Sequence, residues 1–113
     1  MQDIVYVSIT GLKVKHIWQV PLFWRHAIAS MRQAKSADGC LDAQAATIGG
    51  IHHTRSVWRD RTSMRAFLTA GAHQKAMVIF PSIATGKTLG FETTTIPNWA
   101  EVHQLWREKG QDV

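Results

Sequence analysis

The sequence predicts an α+β domain in which strand and helix signals follow the order β-α-β-β-α-β, with one further helix at the C-terminus. Three observations carry that expectation. The run from Asp3 to Thr10 is β-branched and aromatic almost throughout, as a strand requires. Gly49-Gly50 separates two short alternating runs and reads as a hairpin turn, because both residues tolerate positive φ. Apolar residues recur at helical spacing from Leu22 to Ala34, from Met64 to Phe80 and from Trp99 to Trp106.

Taken in order, residues 3–10 carry apolar side chains on both faces, so the first strand is expected to be covered on both sides. Gly11 and the Lys13/Lys15 alternation mark its exit. Pro21 suits the first turn of a helix, where its missing N–H is not needed. Phe23, Ala27, Met31 and Ala34, widened by Trp24 and Ile28, give that helix its apolar stripe, and Asp38-Gly39 stops it. Leu41–Thr47 and Ile51–Trp58 form the antiparallel hairpin. Asp60 or Thr62 caps a helix carrying Met64, Phe67 and Leu68 inward. Gly71 interrupts it before a turn bearing His73, Ala76, Met77 and Phe80. Pro81 and Gly86 bound a loop, Thr88–Ile96 reads as the fourth strand, and Pro97 ends it. Asn98 and Glu101 form a capping-box start for a helix with Trp99, Val102, His103 and Trp106 on one face. The tail 110–113 is expected to fray. This order is the split βαβ arrangement of ferredoxin-like folds, with both helices on one face of a four-stranded antiparallel sheet. The opposite face is expected to be buried by a second copy of the chain, sheet against sheet, in a homodimer.

A chain of 113 residues, 45% apolar and 19% charged, is one globular domain spanning 1–113 and neither disordered nor collagenous. No apolar run is long enough to span a membrane, and the first residues lack the zones of a signal peptide, so a cytoplasmic protein with no membrane partner is expected. The single cysteine, Cys40, excludes a disulfide scaffold and a structural zinc site. The net charge is +5, and Arg55, Arg59, Arg61 and Arg65 lie within eleven residues with only Asp60 as counter-charge. These arginines are expected to be exposed at the end of the third strand and the start of the following helix. A solvated face is the common explanation of such a group, and an anion-binding patch the sharper one.

Several stretches resemble a known group. They are Val7-Ser-Ile-Thr10, Leu22-Phe-Trp-Arg-His26 with Gly39 after the helix, Ser56-Val-Trp-Arg-Asp60, Met64-Arg-Ala-Phe67, Gly71-Ala-His73-Gln-Lys-Ala-Met77 and Pro97-Asn-Trp-Ala-Glu-Val-His103. Together they resemble the small bacterial proteins related to spheroidene monooxygenase. That group falls in the dimeric α+β barrel superfamily, with the antibiotic-biosynthesis and haem-degrading monooxygenases. The resemblance implies a dimeric barrel, a monooxygenase-like activity and a cleft between helices and sheet that takes haem or another flat apolar molecule. It does not carry the haem-degrading residues over. Phe67 and Met77 stand where those enzymes place a catalytic Trp and a haem-ligating His, and residues 3–10 contain no Asn.

His73 lies one helical turn before Met77 and shares its face, which makes it the first-choice catalytic residue, and the iron ligand if haem is bound. Trp24, Phe67 and Met77 are the candidate ligand-binding walls; simple core packing is their bland alternative, as a satisfied buried imidazole is for His73. Gly86-Lys-Thr88 lacks the upstream glycine of a phosphate-binding loop. His52 and His53 are strand neighbours that point to opposite faces and cannot chelate one ion. Cys40 shows no sign of a depressed pKa. Two functions survive: a monooxygenase-like enzyme, and a non-catalytic dimeric module binding an anionic ligand or single-stranded nucleic acid through the arginines.

Overall fold

The computed structural model describes residues 3–113. Its central element is strand β1, Val5–Val14, which pairs antiparallel with β3, Ile51–Trp58, on one side and with β4, Ala84–Thr93, on the other. Strand β2, Cys40–Ile48, adds outside β3, and a two-residue strand β5, Gln111–Asp112, outside β4, giving the order β2-β3-β1-β4-β5. This is the predicted ferredoxin-like sheet with one extra edge strand. The hairpin turn is as expected, with φ of 56° at Gly49 and 79° at Gly50.

Even-numbered residues of β1 face three helices: α1 (Val20–Ser36), entered through a 3-10 turn at Ile17–Gln19, α2 (Arg61–Leu68) and α3 (Gly71–Ile83). Asp60 rather than Thr62 caps α2, its carboxylate accepting from the Ser63 N–H at 2.8 Å. The core on this side is in two pieces. Trp58, Met64, Phe67, Ala34 and Ala43 form one, and Leu12, Phe23, Ile83 and Ala84 the other. None of the described helices is long and apolar enough to cross a membrane.

Four expectations need correction. The second sheet face is not open: α4, Trp99–Lys109, lies across it, and Val102 packs with Val7, Ile9 and Val57. The capping box at Asn98 and Glu101 starts that helix as predicted, and its Trp99/Val102/Trp106 stripe meets the odd-numbered face of β1. The apolar residues on both sides of β1 therefore serve two helical layers of one chain. Gly11 does not end β1. The strand runs on to Val14, and Gly11 is bare because the Trp106 indole lies where a Cβ would stand, donating to the Gly11 carbonyl at 3.1 Å. No loop separates Pro81 from Gly86, since α3 runs through Pro81 to Ile83 and β4 begins at Ala84, in register with Val14. In the last helical turn Pro81 costs only one hydrogen bond. The tail pairs rather than frays, with Lys87 opposite Asp112 and Thr88 opposite Gln111.

Candidate functional site

Between the two halves of the helix-side core the sheet has nothing apolar to offer. Ser8 and Thr10 of β1, Thr54 and Ser56 of β3, and Thr88 and Gly90 of β4 are register neighbours on that face. Side chains this short and polar do not fill the space under the helices. A cleft of about 860 Å³ results, with these residues and Tyr6 as its floor. Trp24, Ala27 and Met31 of α1, Phe67 of α2, and Met77 and Phe80 of α3 supply an apolar roof and walls. All four residues singled out in the sequence, Trp24, Phe67, His73 and Met77, line this one cleft. Met77 is half exposed and forms part of its lip.

His73 is held from both ends. Its ring lies against Phe67, centroids 4.5 Å apart, and its Nδ1 is 3.3 Å from the Leu68 carbonyl. A carbonyl only accepts, so Nδ1 carries the proton and Nε2 keeps its lone pair. Burial lowers the His73 pKa below its ordinary 6.5, the Leu68 carbonyl only partly opposing this, so the ring is neutral near pH 7. Its backbone is set by Gln33 of α1, a residue the sequence reading missed. Ala70 has no side-chain oxygen with which to cap α3. Gln33 Oε1 accepts from the His73 N–H at 2.8 Å instead, and Gln33 Nε2 donates to the Ala70 carbonyl at 2.8 Å. With a longer contact from Gln33 Nε2 to the Phe67 carbonyl at 3.4 Å, one amide thus braces the last turn of α2 and the first of α3.

Other side chains of the cleft were also not foreseen. Ser30 of α1 is buried with no hydrogen-bond partner for its hydroxyl. His52 packs between Phe23 and Trp24 and bonds Thr47 Oγ1 through Nδ1 at 2.9 Å. The hydroxyl floor was visible as Ser and Thr at every second position of residues 8–10 and 54–56, had the strand period been applied to polar residues as well as apolar ones.

His53 turns to the opposite face, as expected for a strand neighbour of His52. It is 1% exposed, with Nε2 2.8 Å from His103 Nδ1 and Nδ1 3.3 Å from the Thr10 carbonyl, under the edge of Trp106. Among the described residues no three His, Cys, Asp or Glu side chains converge as a metal would need. Burial pushes the Cys40 thiol up, against a role as nucleophile.

The arginine group does not survive as a patch. Arg55 is buried: it donates to the Pro97 carbonyl at 2.9 Å and to Asp42 at 3.3 Å, and its guanidinium lies 4.9 Å from the Trp99 ring centre. The exposed Arg59 faces Asp38 and Asp60, each at 3.6 Å. Only Arg61 and Arg65 are exposed on a helix as expected.

Burial holds the pKa of His52, His53 and His73 below the ordinary 6.5, and at His53 the neighbouring His103 adds to the effect while the Thr10 carbonyl opposes it. The unfolded chain therefore binds protons more readily at these sites. Their contribution to stability is complete above about pH 6.5 and is lost as the pH falls toward their native pKa values. Asp60, whose pKa the Ser63 N–H and hydroxyl lower from 3.8, acts the same way only in more acid solution. Denaturant unfolding is expected to show stability declining as pH drops from about 7 to about 5, with a shallower slope in His53→Gln. A flat profile would show that these rings do not titrate on unfolding.

No protein-family profile matches the chain, and no curated protein matches it significantly. Its fold is that of solved antibiotic-biosynthesis-monooxygenase-like proteins. A candidate antibiotic biosynthesis monooxygenase from Deinococcus radiodurans superposes with a TM-score of 0.71 at 15% identity, over 82% of this chain and 96% of its own. One from Nitrosomonas europaea gives 0.68 at 12%, over 81% and 99%. SnoaB from Streptomyces nogalater, a cofactor-independent oxygenase solved as a point mutant, gives 0.64 at 10%, over 86% and 98%. The likeness is one of fold. It agrees with the ferredoxin-like α+β fold expected from the sequence, and the likeness to spheroidene-monooxygenase relatives rests on the sequence motifs alone.

Proposed function

We propose that this protein is a monooxygenase-like enzyme whose substrate is a flat, largely apolar molecule with hydroxyl or carbonyl groups on its edge. The observation that carries this is the asymmetry of the cleft, with aromatic and thioether side chains above and a row of hydroxyls below. The apolar part of such a molecule gains by burial against Trp24, Phe67 and Met77, while its polar edge meets Ser8, Thr10, Thr54 or the unpartnered Ser30. His73 Nε2, neutral and unprotonated, accepts a proton from an acidic hydroxyl of the substrate, leaving an electron-rich anion. The fold neighbour described as a cofactor-independent oxygenase supports chemistry of this kind.

Haem is the other flat apolar group to test against these residues. His73 Nε2 would hold the iron, and Arg61, which also lines the cleft, would meet a propionate carboxylate. The hydroxyl floor, however, matches a molecule with several polar edge groups better than the carbon face of a porphyrin. The anion-binding module loses its support with the burial of Arg55.

Planar phenols and quinones are expected to quench tryptophan fluorescence on binding, and His73→Ala to abolish turnover while the far-UV spectrum stays unchanged. Ligand titrations and turnover unaltered by His73→Ala would remove the site. A Soret band on adding haemin that disappears in His73→Ala would replace the cofactor-free reading by the haem one. The homodimer is kept as a proposal on a different basis, the unpaired outer edge of β2 and its exposed Leu41. Light scattering is expected to give twice the 12.7 kDa chain mass at micromolar concentration, and the monomer mass alone would overturn the dimer.

A further inference from the structure

The helices that roof the cleft carry charge of one sign. Helices α1, α2 and α3 contain Arg25, Arg32, Lys35, Arg61, Arg65 and Lys75 and no acidic residue. The net charge of the whole chain, +5, equals the charge of the segment from Lys13 to Lys35, which holds five cations and no acid; the other eight cations are balanced by eight acids. The two acids that flank this layer, Asp38 and Asp60, face Arg59.

Apolar side chains stand out among these cations. Ile17 is 85% and Trp18 72% exposed in the turn entering α1, and Val78 of α3 is 76% exposed. The Trp18 ring stacks on exposed His16, centroids 4.5 Å apart and planes 4° from parallel, and not on the body of the protein. Along α1, Leu22, Arg25, Ile28, Arg32 and Lys35 follow one another at spacings of three or four, and all are exposed. That is an outward stripe mixing aliphatic and basic residues.

Charge and shape together choose the occupant. A second copy of this chain would bring the same positive charge to the same face. A nucleic acid supplies anions but leaves Ile17, Leu22, Ile28 and Val78 in water. A bilayer containing acidic lipids offers an anionic layer and, directly beneath it, an apolar one, and so provides for both kinds of side chain on this face. We propose that the α1–α3 face docks on the surface of an anionic lipid bilayer, with Ile17 and Trp18 inserted at headgroup level and the lysines and arginines on the lipid anions. Surface docking needs no spanning helix. Lys15 Nζ holds the Pro81 carbonyl at 3.0 Å, so the inserted turn adjoins the end of the cleft lined by Trp24, Phe80 and Pro81. Delivery of a membrane-dissolved ligand to that end would rest on the cleft reading above; the docking itself does not.

Co-sedimentation of the whole protein with phosphatidylcholine vesicles, with and without phosphatidylglycerol, tests the proposal apart from any catalysis. Binding is expected on the anionic vesicles only, and is expected to fall steeply with added salt because the charges are exposed. Ile17→Ser with Trp18→Ser is expected to weaken it by about tenfold or more, and Arg25→Glu with Arg32→Glu to abolish it. Unfolding curves confirm that each variant remains folded; if one does not, the lipid and salt dependence of the unaltered protein still decides. No binding to anionic vesicles, equal binding to both kinds, or binding indifferent to these substitutions would overturn the proposal. So would a dimer in light scattering that Trp18→Ser dissociates, which would assign the patch to a second copy.

Discussion

Arg55→Ala is expected to destabilise the protein by about 2–4 kcal/mol, far more than any change at the exposed arginines. Arg55 is 9% exposed and ties β2 to the start of α4 through three contacts: Asp42 of β2, the Pro97 carbonyl before α4, and the face of Trp99. Removing it leaves the Pro97 carbonyl without its donor and Trp99 without its platform. Asp42 is better placed to recover, since its side chain is 37% exposed and can hydrate, which keeps the expected loss below that of a fully buried pair. Arg61→Glu with Arg65→Glu is the matching control, expected to change stability by less than about 1 kcal/mol. Chemical denaturation of the two variants would settle the comparison. Equal small effects would mean that the α4 start is held without Arg55.

Trp58→Ala is expected to cost about 3–5 kcal/mol. Trp58 is wholly buried, its ring tilted against Phe67 at 5.1 Å and its N–H donating to Ser56 Oγ at 2.8 Å. It is the largest side chain in the half of the core that closes one end of the cleft. Its loss leaves a hole that Met64 and Phe67 cannot fill without moving, and Phe67 is what His73 leans on. Trp58→Phe retains an aromatic partner for Phe67 and is expected to cost markedly less. Ligand binding by that milder variant separates the shape of the cleft from the stability of the fold. A small loss of stability in Trp58→Ala would show that this end of the core relaxes freely.

Within the candidate site, Trp24, Phe67, His73 and Met77 were legible because helical spacing places them on inward faces, and spacing is a local property. Gln33 was not. Its role arises from an end-to-end meeting of α2 and α3 beside α1, and nothing near Gln33 in the chain records that meeting. The arginines show the same divide. Arg55, Arg59, Arg61 and Arg65 are close in sequence, but strand alternation turns Arg55 under α4, while capping by Asp60 starts a helix that leaves Arg61 and Arg65 in water.

What the sequence determined by itself is the ordered set of elements, the hairpin at Gly49-Gly50, the capping box at Asn98, a capped helix start at Asp60 or Thr62, and so the ferredoxin-like sheet. These follow from backbone preferences and hydrogen bonds spanning a few residues. Only the tertiary structure decided what covers each face. Apolar residues on both sides of β1 state that both faces are buried, and are silent on whether a helix of the same chain or a second copy buries them. The answer lay in Gly11, whose missing side chain admits the Trp106 indole from α4, ninety-five positions away. The cleft was decided in the same way: it exists because short hydroxyl side chains from three strands come into register under the helices, and register is a property of paired strands and not of any one of them.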